Sequence, residues 1–231
     1  MQLAIDAADD NPGIALAVDG VAGMTATWAT QRNHSVELLP NIDRLLTEAG
    51  RTKHDIDAVF VDLGPGGYAA LRVGVSIAKA LAHGLGVPIV GVGRLELDAY
   101  GVAGDAGARR IVAVHRAGRG EAAWAVYRDG PDRWREELSP RIGKPADLYS
   151  SIAGGDIVTG DVDDELAAAL ARAGASAASA RAHRVIALAS LGHQRLAAGR
   201  TDDPTALVPL YLRAPAIGPQ SSAGHQPGSA T

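Results

Sequence analysis

The sequence predicts an α/β fold with two similar lobes, each of which begins with three strands and ends in helices. Three observations support this prediction. Three short apolar runs separated by turn residues fill the first 28 residues, strands and helices then alternate up to about residue 100, and a second set of three strand-like runs starts near residue 110. Alternation of strands and helices is typical of parallel strands joined by crossover helices.

The elements of the first lobe follow from local patterns. The runs LAID, GIALAV and VAGMTATW are separated by AADDNP and DG, which predicts an antiparallel meander. HSVELLPNIDRLLTEAG has apolar residues at spacings of three and four and ends at Gly50, so it predicts an amphipathic helix with Pro40 inside it. IDAVFVDLG and VPIVGV predict buried strands, a helix is expected between them from about Tyr68 to Leu85, and RLELDAYGV predicts another helix.

The second lobe repeats this order. RIVAVHR, EAAWAVYRD and DRWREEL predict three strands, followed by a helical PADLYSSI, a short strand DIVTG, an alanine-rich helical region over residues 162–200 and the apolar segment ALVPLYLR. We therefore predict lobes over residues 1–103 and 104–213. Residues 214–231 are poor in bulky apolar side chains and rich in Pro, Gly, Ser and Ala, so a disordered tail is expected. The repeated order predicts a duplicated actin-like ATPase (ribonuclease H-like) fold.

The composition excludes several kinds of site and partner. The 231 residues include no cysteine, which excludes disulfides, iron–sulfur clusters, thiolate zinc sites and a cysteine nucleophile. The net charge of −4 argues against a stand-alone nucleic-acid-binding protein, which needs a basic excess. No apolar run approaches the roughly 18 residues of a membrane helix, and MQLAIDAADD lacks a signal-peptide pattern, so we expect a cytoplasmic protein without membrane contact.

Two turns are candidates for phosphate binding. The first, between a predicted strand and a predicted helix, consists of Gly64, Pro65, Gly66 and Gly67. Backbone N–H groups favour an anion at such a place, but no Gly-Lys-Ser/Thr follows, so the turn is either an anion site or only a sharp turn. The turn after the first strand presents Asp6, Asp9 and Asp10 with neither a hydroxyl residue nor a compensating cation, so it would repel a phosphate. We interpret Asp6 and the glycine-rich turn as a vestigial phosphate loop and expect no cofactor.

No catalytic residue and no metal site are predicted. The seven histidines include no pair spaced by three or four residues, the spacing that a metal site on one helix needs. The chain has no G-x-S-x-G elbow, and Ser76, near the glycine-rich turn, lies in the middle of a predicted helix. We therefore expect a protein that is not an enzyme.

Two predicted helices have more apolar surface than one contact with a core requires. We predict that both helices bind a partner protein, and that small residues on the second let a partner helix approach closely. The residues expected in this interface are Leu38, Leu39, Ile42, Leu45 and Leu46 on the first helix and Ala70, Gly74, Ile77, Ala78 and Leu81 on the second.

Several stretches, in the same order along the chain, resemble the TsaB (YeaZ-like) family of non-catalytic actin-like subunits of the bacterial tRNA threonylcarbamoyladenosine machinery. They are LAID, HSVELLPNIDRLLTEAG, IDAVFVDLGPGGYAALRVGVSIAKALA, VPIVGVGRLELDA, RGEAAWAVYR and PLYLRAP, and together they span roughly residues 2–215. The second and third stretches are the most specific. The resemblance implies that the chain binds and activates the catalytic subunit TsaD, that the ATPase TsaE completes the complex, and that tRNA is contacted only through it.

The chain departs from the family pattern at both turns. Where the family has Thr and Ser after the first Asp, this chain has Ala7 and Ala8, and where the G-P-G turn continues Ser-Phe-Thr-Gly, this chain has Gly-Tyr-Ala-Ala at residues 67–70. Both changes remove hydroxyls. The resemblance also implies that TsaD carries a metal-binding histidine pair in the segment equivalent to GRLELDA, which contains no histidine here.

Two other functions remain open on the sequence. An actin-like small-molecule kinase would need phosphate-binding hydroxyls where Ala7 and Ala8 stand. A glycoprotease-like metallopeptidase would need a metal-binding dyad that the histidine spacing does not provide. A homodimer in the absence of the partner is a further alternative.

Overall fold

The computed structural model describes residues 1–31, 33–106, 109–129, 134–180 and 182–213. The first half of the chain forms β1 (Gln2–Asp6), β2 (Gly13–Val18), β3 (Val21–Thr27), α1 (His34–Glu48), β4 (Ala58–Asp62), α2 (Tyr68–Leu85), β5 (Ile89–Val92) and α3 (Arg94–Ala106). The second half forms β6 (Arg110–Gly118), β7 (Glu121–Arg128), β8 (Arg135–Gly143), α4 (Pro145–Tyr149), β9 (Ile157–Gly160), α5 (Asp164–Ala173), β10 (Ser176–Ala177) and α6 (Arg184–Ala197).

The two halves build sheets of the same design. The strand order is β3-β2-β1-β4-β5 in the first sheet and β10-β9-β6-β7-β8 in the second. In each sheet the first strand pairs antiparallel with the second strand and parallel with the fourth, as β1 does with β2 and β4, and β6 with β7 and β9. This repetition confirms the predicted α/β fold with two lobes that each begin with three strands.

α1 and α2 cover one face of the first sheet. Leu38 and Leu45 of α1 and Val75 and Ala78 of α2 pack with the apolar side chains of β1, β2 and β4 in one core cluster. α2 has the bounds that the sequence predicts. Gly86 ends α2 in a left-handed conformation with φ of 68°, which glycine adopts without strain.

The last helix of each half packs on the sheet of the other half, and we call this the exchange of α3 and α6. α6, near the end of the described chain, packs on the other face of the first sheet, where a Cβ on Gly192 would lie 2.4 Å from Cγ of Phe60. α3 packs instead on the second sheet, with Leu95 against Ile111 and Tyr127. The predicted boundary between residues 103 and 104 lies inside α3, so the packing of the second lobe begins earlier in the chain than that boundary.

The last described residues cross from one lobe to the other, and we call residues 207–213 the C-terminal strap. The Leu210 N–H donates a 2.7 Å hydrogen bond to the Leu63 carbonyl, and the rings of Tyr68 and Tyr211 lie 5.1 Å apart. The predicted tail over residues 214–231 lies outside the described residues. No helix in the described part of the chain is long and apolar enough to cross a membrane.

Candidate functional site

The two turns predicted to form a vestigial phosphate loop meet in the structure. The Gly67 N–H donates a 2.8 Å hydrogen bond to the Ala8 carbonyl oxygen. A Cβ placed on Gly66 would lie 2.2 Å from that same oxygen, so only glycine permits this approach. Ala7 is also buried, and a Cβ on Gly74 of α2 would lie 2.9 Å from the Ala7 Cβ. Close packing of small residues therefore holds the two turns and α2 together.

Buried carboxylates lie beside these turns. Asp6 and Asp62 end the neighbouring parallel strands β1 and β4 and are 0% and 1% exposed, and Asp98 of α3 is 8% exposed. Asp6 Oδ1 accepts a hydrogen bond from the Ala8 N–H, and Asp62 Oδ1 accepts one from the Gly64 N–H. Each of these two carboxylates thus fixes the turn that follows its own strand. Together with a fourth aspartate they form what we call the carboxylate cluster: Asp6, Asp9, Asp62 and Asp98.

Two arginines neutralise this cluster. Arg184 starts α6, and its Nε lies 3.1 Å from Asp6 Oδ2 while its Nη2 lies 2.6 Å from Asp9 Oδ2. Arg94 starts α3, and its Nη2 lies 3.3 Å from Asp9 Oδ2 and its Nε 3.5 Å from Asp98 Oδ2. The prediction that this turn has no compensating cation is therefore wrong. The fold brings both cations to it from distant helices.

Burial and charge act differently on the members of the cluster. Burial, and after it the neighbouring Asp6, raises the pKa of Asp62 well above its usual range, and burial also raises the pKa of Asp98. Burial opposes ionisation of Asp9 too, but Arg184 and Arg94 outweigh it and lower the pKa of Asp9. Burial of the Arg184 guanidinium is likewise outweighed by the carboxylates, which raise its pKa. Arg184 is therefore a permanent positive charge inside the protein.

These residues do not fit a metal ion with a nucleotide, the group that an actin-like ATPase fold implies. The Arg184 guanidinium lies between the carboxylates that a metal would need, and Ala7 and Ala8 offer no hydroxyl to a phosphate. Across residues 1–213, apart from the short gaps in the description, no group of three or more His, Asp or Glu is arranged to hold a metal ion. What this arrangement can do is tie α3, α6 and the two turns together by charge.

A cavity of about 530 Å³ opens beside the cluster, lined in part by Asp9, Asp10, His34, Tyr68, Arg94 and His115. Its two histidines are already engaged within the protein. Nε2 of His34 lies 2.8 Å from the Asp9 carbonyl oxygen, and Nδ1 of His115 lies 2.9 Å from Asp161 Oδ2. The hydrogen bond from His115 is the main cause of the lowered pKa of Asp161. These contacts indicate that both rings position backbone and side chains.

The predicted partner interface is only partly at the surface. Seven of its ten residues are buried within the first lobe: Leu38, Ile42, Leu45, Leu46, Ala70, Gly74 and Ala78. Their role in a partner contact is corrected here, because α1 and α2 use these side chains against the sheet and against the first turn. Gly74 in particular admits Ala7, not a partner helix. The three remaining residues, Leu39, Ile77 and Leu81, are exposed or half-buried.

Val36 is a further exposed apolar residue of α1, and the predicted partner interface did not include it. Val36 of α1 is 68% exposed and Leu39 is 49% exposed, so α1 presents two large apolar side chains to solvent as well as a buried stripe. The amphipathic spacing alone cannot identify Val36. The spacing shows which side of the helix faces the core, but it does not show which apolar residues beside that stripe remain exposed to solvent. Arg94 and Arg184 were also missed, because nothing local marks an arginine whose partners lie elsewhere in the chain.

Comparison with known proteins identifies a matching family model and several similar proteins. A family model described as "TsaD: tRNA N6-adenosine threonylcarbamoyltransferase" matches residues 28–173. The tRNA threonylcarbamoyladenosine biosynthesis protein TsaB of Escherichia coli K12 is 35% identical over 144 residues, which cover 62% of this chain and 62% of that protein. An uncharacterized protein of Mycobacterium tuberculosis H37Rv is 34% identical over 193 residues, covering 80% of this chain and 77% of that one.

Solved structures agree with the fold. An uncharacterized Pseudomonas aeruginosa protein with similarity to peptidase YEAZ superposes with a TM-score of 0.75 at 25% identity, covering 92% of this chain and 99% of that one. YeaZ from P. aeruginosa superposes with a TM-score of 0.72 at 24% identity, covering 91% and 99%. The predicted duplicated actin-like fold is thereby confirmed. Since the family model covers more than half of the chain, the chain belongs to the family that this model describes, in its TsaB (YeaZ-like) branch.

Proposed function

We propose that this protein is a non-catalytic subunit in tRNA threonylcarbamoyladenosine biosynthesis that binds a TsaD-type transferase and stabilises its active form. The observation that carries the proposal is the Arg184 guanidinium among the carboxylates at the ends of β1 and β4. A catalytic member of this fold would need that position for a metal ion and phosphate. The relatives named as TsaB biosynthesis proteins in E. coli and Bacillus subtilis support the pathway.

The proposed docking face consists of exposed or half-buried apolar side chains on α1 and α2: Val36, Leu39, Ile77 and Leu81. α1 and α2 pack against each other on one face of the first sheet. Apolar side chains exposed on neighbouring helices are typical of the centre of a protein–protein contact. The partner proposed for this face is the TsaD-type subunit, and a second copy of this chain is the competing occupant.

The proposal includes a TsaE-type ATPase and tRNA as members of the same assembly. A net charge of −4 gives this chain little electrostatic attraction for tRNA, whose binding depends on basic residues. We therefore propose that tRNA is contacted through the partner, and that the protein acts in the cytoplasm with the rest of the pathway.

Charge substitutions on the docking face test the proposal. Leu39→Glu and Ile77→Glu each place a carboxylate in the proposed contact, so we expect affinity for the TsaD-type protein of the same organism to fall at least about tenfold. Formation of the modified adenosine by the reconstituted proteins should fall with it. Binding is measured by titration calorimetry, with thermal unfolding of each variant alone to confirm that its fold is intact.

Ile186→Glu is the matched control, since Ile186 is an exposed apolar residue of α6 on the opposite side of the first sheet. This variant should bind and support modification as the wild type does. Wild-type binding by the Leu39→Glu and Ile77→Glu double variant would contradict the docking face. Self-association lost in that variant, with TsaD binding retained, would assign the face to a homodimer instead.

A further inference from the structure

The cavity of about 530 Å³ lies where three helices begin. Its volume is within the range of small-molecule sites, about 300–1,000 Å³. The helix starts in its lining supply His34 and Ser35 of α1, Tyr68, Ala69 and Ala70 of α2, and Arg94, the first residue of α3. Because the start of a helix carries a partial positive charge, these residues give the cavity several positive points.

The first N–H groups of α1 and α2 have no acceptor within the described chain. Neither helix is capped by a side chain. The backbone N–H groups of His34 and Ser35 in α1, and of Tyr68 and Ala69 in α2, donate to no described residue. Such groups bind anions, but water also satisfies them at many helix starts. They indicate an anion only when a further group in the same cavity calls for one.

Arg94 is that further group. The residue is 6% exposed and lines the cavity, but Nε and Nη1 of its guanidinium are buried and have no hydrogen-bond acceptor among the described residues. Its ion-pair distances are long, 3.3 Å from Nη2 to Asp9 Oδ2 and 3.5 Å from Nε to Asp98 Oδ2. A buried guanidinium without an acceptor is costly, so Arg94 favours an acceptor that comes from outside the chain.

The carboxylate cluster as a whole does not repel one more negative charge. Burial raises the pKa of Asp62 and of Asp98, so both favour their neutral forms. The other two members of the cluster face the two arginines. Asp10 is exposed and also lines the cavity, so a ligand with two negative charges is disfavoured. The balance of charge fits a monoanion.

Part of the remaining lining is apolar. Ala8, Ala70 and Val73 contribute side chains without polar atoms. A ligand that places its charge at the helix starts can therefore pack a short aliphatic part against this wall, and each buried methylene adds to its affinity.

We propose that this cavity binds a small organic monocarboxylate, with the carboxylate held by Arg94 and the free N–H groups of α1 and α2 and the aliphatic part against Ala70 and Val73. None of the side chains of the docking face lines this cavity. The site belongs to this chain alone, so its occupation does not depend on the proposed partner.

Titration of the full chain with n-butyrate, followed by ¹⁵N-resolved nuclear magnetic resonance, tests the site. We expect saturable shifts of the Ser35, Tyr68 and Ala69 amides and of the Arg94 Nε–H, with a dissociation constant of roughly 1–10 mM. Butyramide has nearly the same shape without the charge and should bind at least about tenfold more weakly. Acetate lacks two methylenes and should bind at least about threefold more weakly. Sulfate, a dianion, should bind at least about tenfold more weakly.

Arg94→Gln removes the guanidinium and should weaken butyrate binding at least about tenfold. Arg195→Gln is the matched control, because Arg195 is a part-buried arginine whose guanidinium already donates to the Gly91 carbonyl and to Glu96. This control should bind butyrate as the wild type does. Thermal unfolding of each variant shows whether its fold is intact.

Two substitutions of Tyr68 test the helix start without touching the arginine. Gly67 has φ of −60° and ψ of 120°, the extended conformation that suits a residue before proline, and proline fits the first position of a helix. Tyr68→Pro thus removes one free N–H, while Tyr68→Ala removes the same ring and keeps the N–H. We expect butyrate to bind Tyr68→Pro at least about fivefold more weakly than Tyr68→Ala.

Four results would overturn the site. Equal affinity for butyrate and butyramide would show that the cavity does not select an anion, and sulfate binding as tight as that of butyrate would show that it does not select a monocarboxylate. Wild-type butyrate binding by a folded Arg94→Gln would place the ligand elsewhere, as would the absence of saturable shifts up to about 100 mM butyrate. If Arg94→Gln does not fold, the two Tyr68 variants decide: a weaker Tyr68→Pro supports the site, and equal affinities contradict it.

Discussion

Asp62 is a buried carboxyl group with one hydrogen-bond donor among the described residues. It is 1% exposed, and only Oδ1 accepts a hydrogen bond, from the Gly64 N–H. A carboxyl group buried in this way favours its neutral form, and the neighbouring Asp6 adds to the effect. The raised pKa means that folded Asp62 keeps a proton at pH values where the unfolded chain has lost it.

The first prediction concerns the pH dependence of Asp62→Asn. Because the pKa of Asp62 is raised in the folded state, its contribution to stability is fully present below the unfolded pKa and declines as the pH rises toward the folded pKa. Asparagine does not titrate. We therefore expect the melting temperature of Asp62→Asn to rise relative to the wild type from about pH 4 to about pH 7. Thermal unfolding across that range measures it.

Asp43→Asn, at an exposed position of α1, is the control for this series. It measures the effect of removing a carboxyl group at the surface. A pH-independent offset between Asp62→Asn and the wild type would show that burial of this carboxyl group does not shift its titration.

A second prediction concerns Gly74. Because a Cβ there would lie 2.9 Å from the Ala7 Cβ, Gly74→Leu should lower the free energy of unfolding by about 1–3 kcal/mol through overpacking. Ser76→Leu, at an exposed position of the same helix, is the matched control and should change it by less than about 0.5 kcal/mol. Denaturant unfolding of both variants checks this, and equal stability of the two would contradict the packing described for α2.

The residues around the vestigial phosphate loop show which parts of the site could be predicted from the sequence. Asp6 and the glycine-rich turn could be predicted, because a strand end followed by glycines and a helix is a local pattern. Arg184 could not, because it lies 178 residues from Asp6 along the chain and only the packing of α6 on the first sheet brings the two together. The same limit applies to Gly74. Its small size fits close contact with a partner helix as well as close contact with Ala7, and the sequence does not distinguish the two.

The C-terminal strap joins parts of both lobes. Leu207 is 8% exposed and belongs to the core of the first lobe, while Arg213 pairs with Glu121 of β7 in the second. The Lys79 ammonium of α2 donates to the Leu207 carbonyl at 2.9 Å. The strap therefore contributes to the stability of a chain whose two sheets would otherwise be joined by fewer contacts.

Truncation tests this contribution. A chain that ends at Arg213 should melt as the full chain does, since residues 214–231 have little apolar surface to bury. A chain that ends at Ala206 loses buried Leu207 and the hydrogen bond at Leu210, so its free energy of unfolding should be lower by roughly 2–4 kcal/mol. Denaturant unfolding measures both. Equal stability of the two truncated chains would show that the strap is not docked in solution.

Most elements could be predicted, but not the sheet on which each helix packs. The helical spacing of apolar residues predicts the bounds of α2, and the alternation of apolar runs with turn residues predicts β1, β2 and β3. The alanine-rich region over residues 162–200 is not helical throughout, because Gly174 ends α5 with φ of 70° and β10 follows. The exchange of α3 and α6 has no local signature, since an apolar stripe fits either sheet equally well.

In the crevice between the lobes, beside the open cavity, the protein's own arginines pair with the carboxylate cluster. Arg94 and Arg184 neutralise the carboxylates of the first lobe, and small residues close the gap between the first turn and α2. An incoming nucleotide would have to displace the guanidinium of Arg184 from four carboxylates and would meet no hydroxyl at Ala7 or Ala8. The crevice is therefore unsuited to a phosphate.

The last prediction is that the wild-type protein binds Mg-ATP no more tightly than about 1 mM, equivalent to about −4 kcal/mol. Titration calorimetry with the purified protein and Mg-ATP measures this directly. A dissociation constant in the low micromolar range, about −8 kcal/mol, would show that the crevice accepts nucleotide despite Arg184.

The exchange of α3 and α6 has a consequence for how the protein is made. The face of the first sheet that carries Ala4, Ala15 and Phe60 is covered by α6, which leaves the ribosome roughly ninety residues after β5. At a synthesis rate of about 5–20 residues per second, that apolar face stays uncovered for on the order of 5–20 s before α6 is synthesised. The first lobe therefore exposes this apolar face to solvent until the chain is nearly complete.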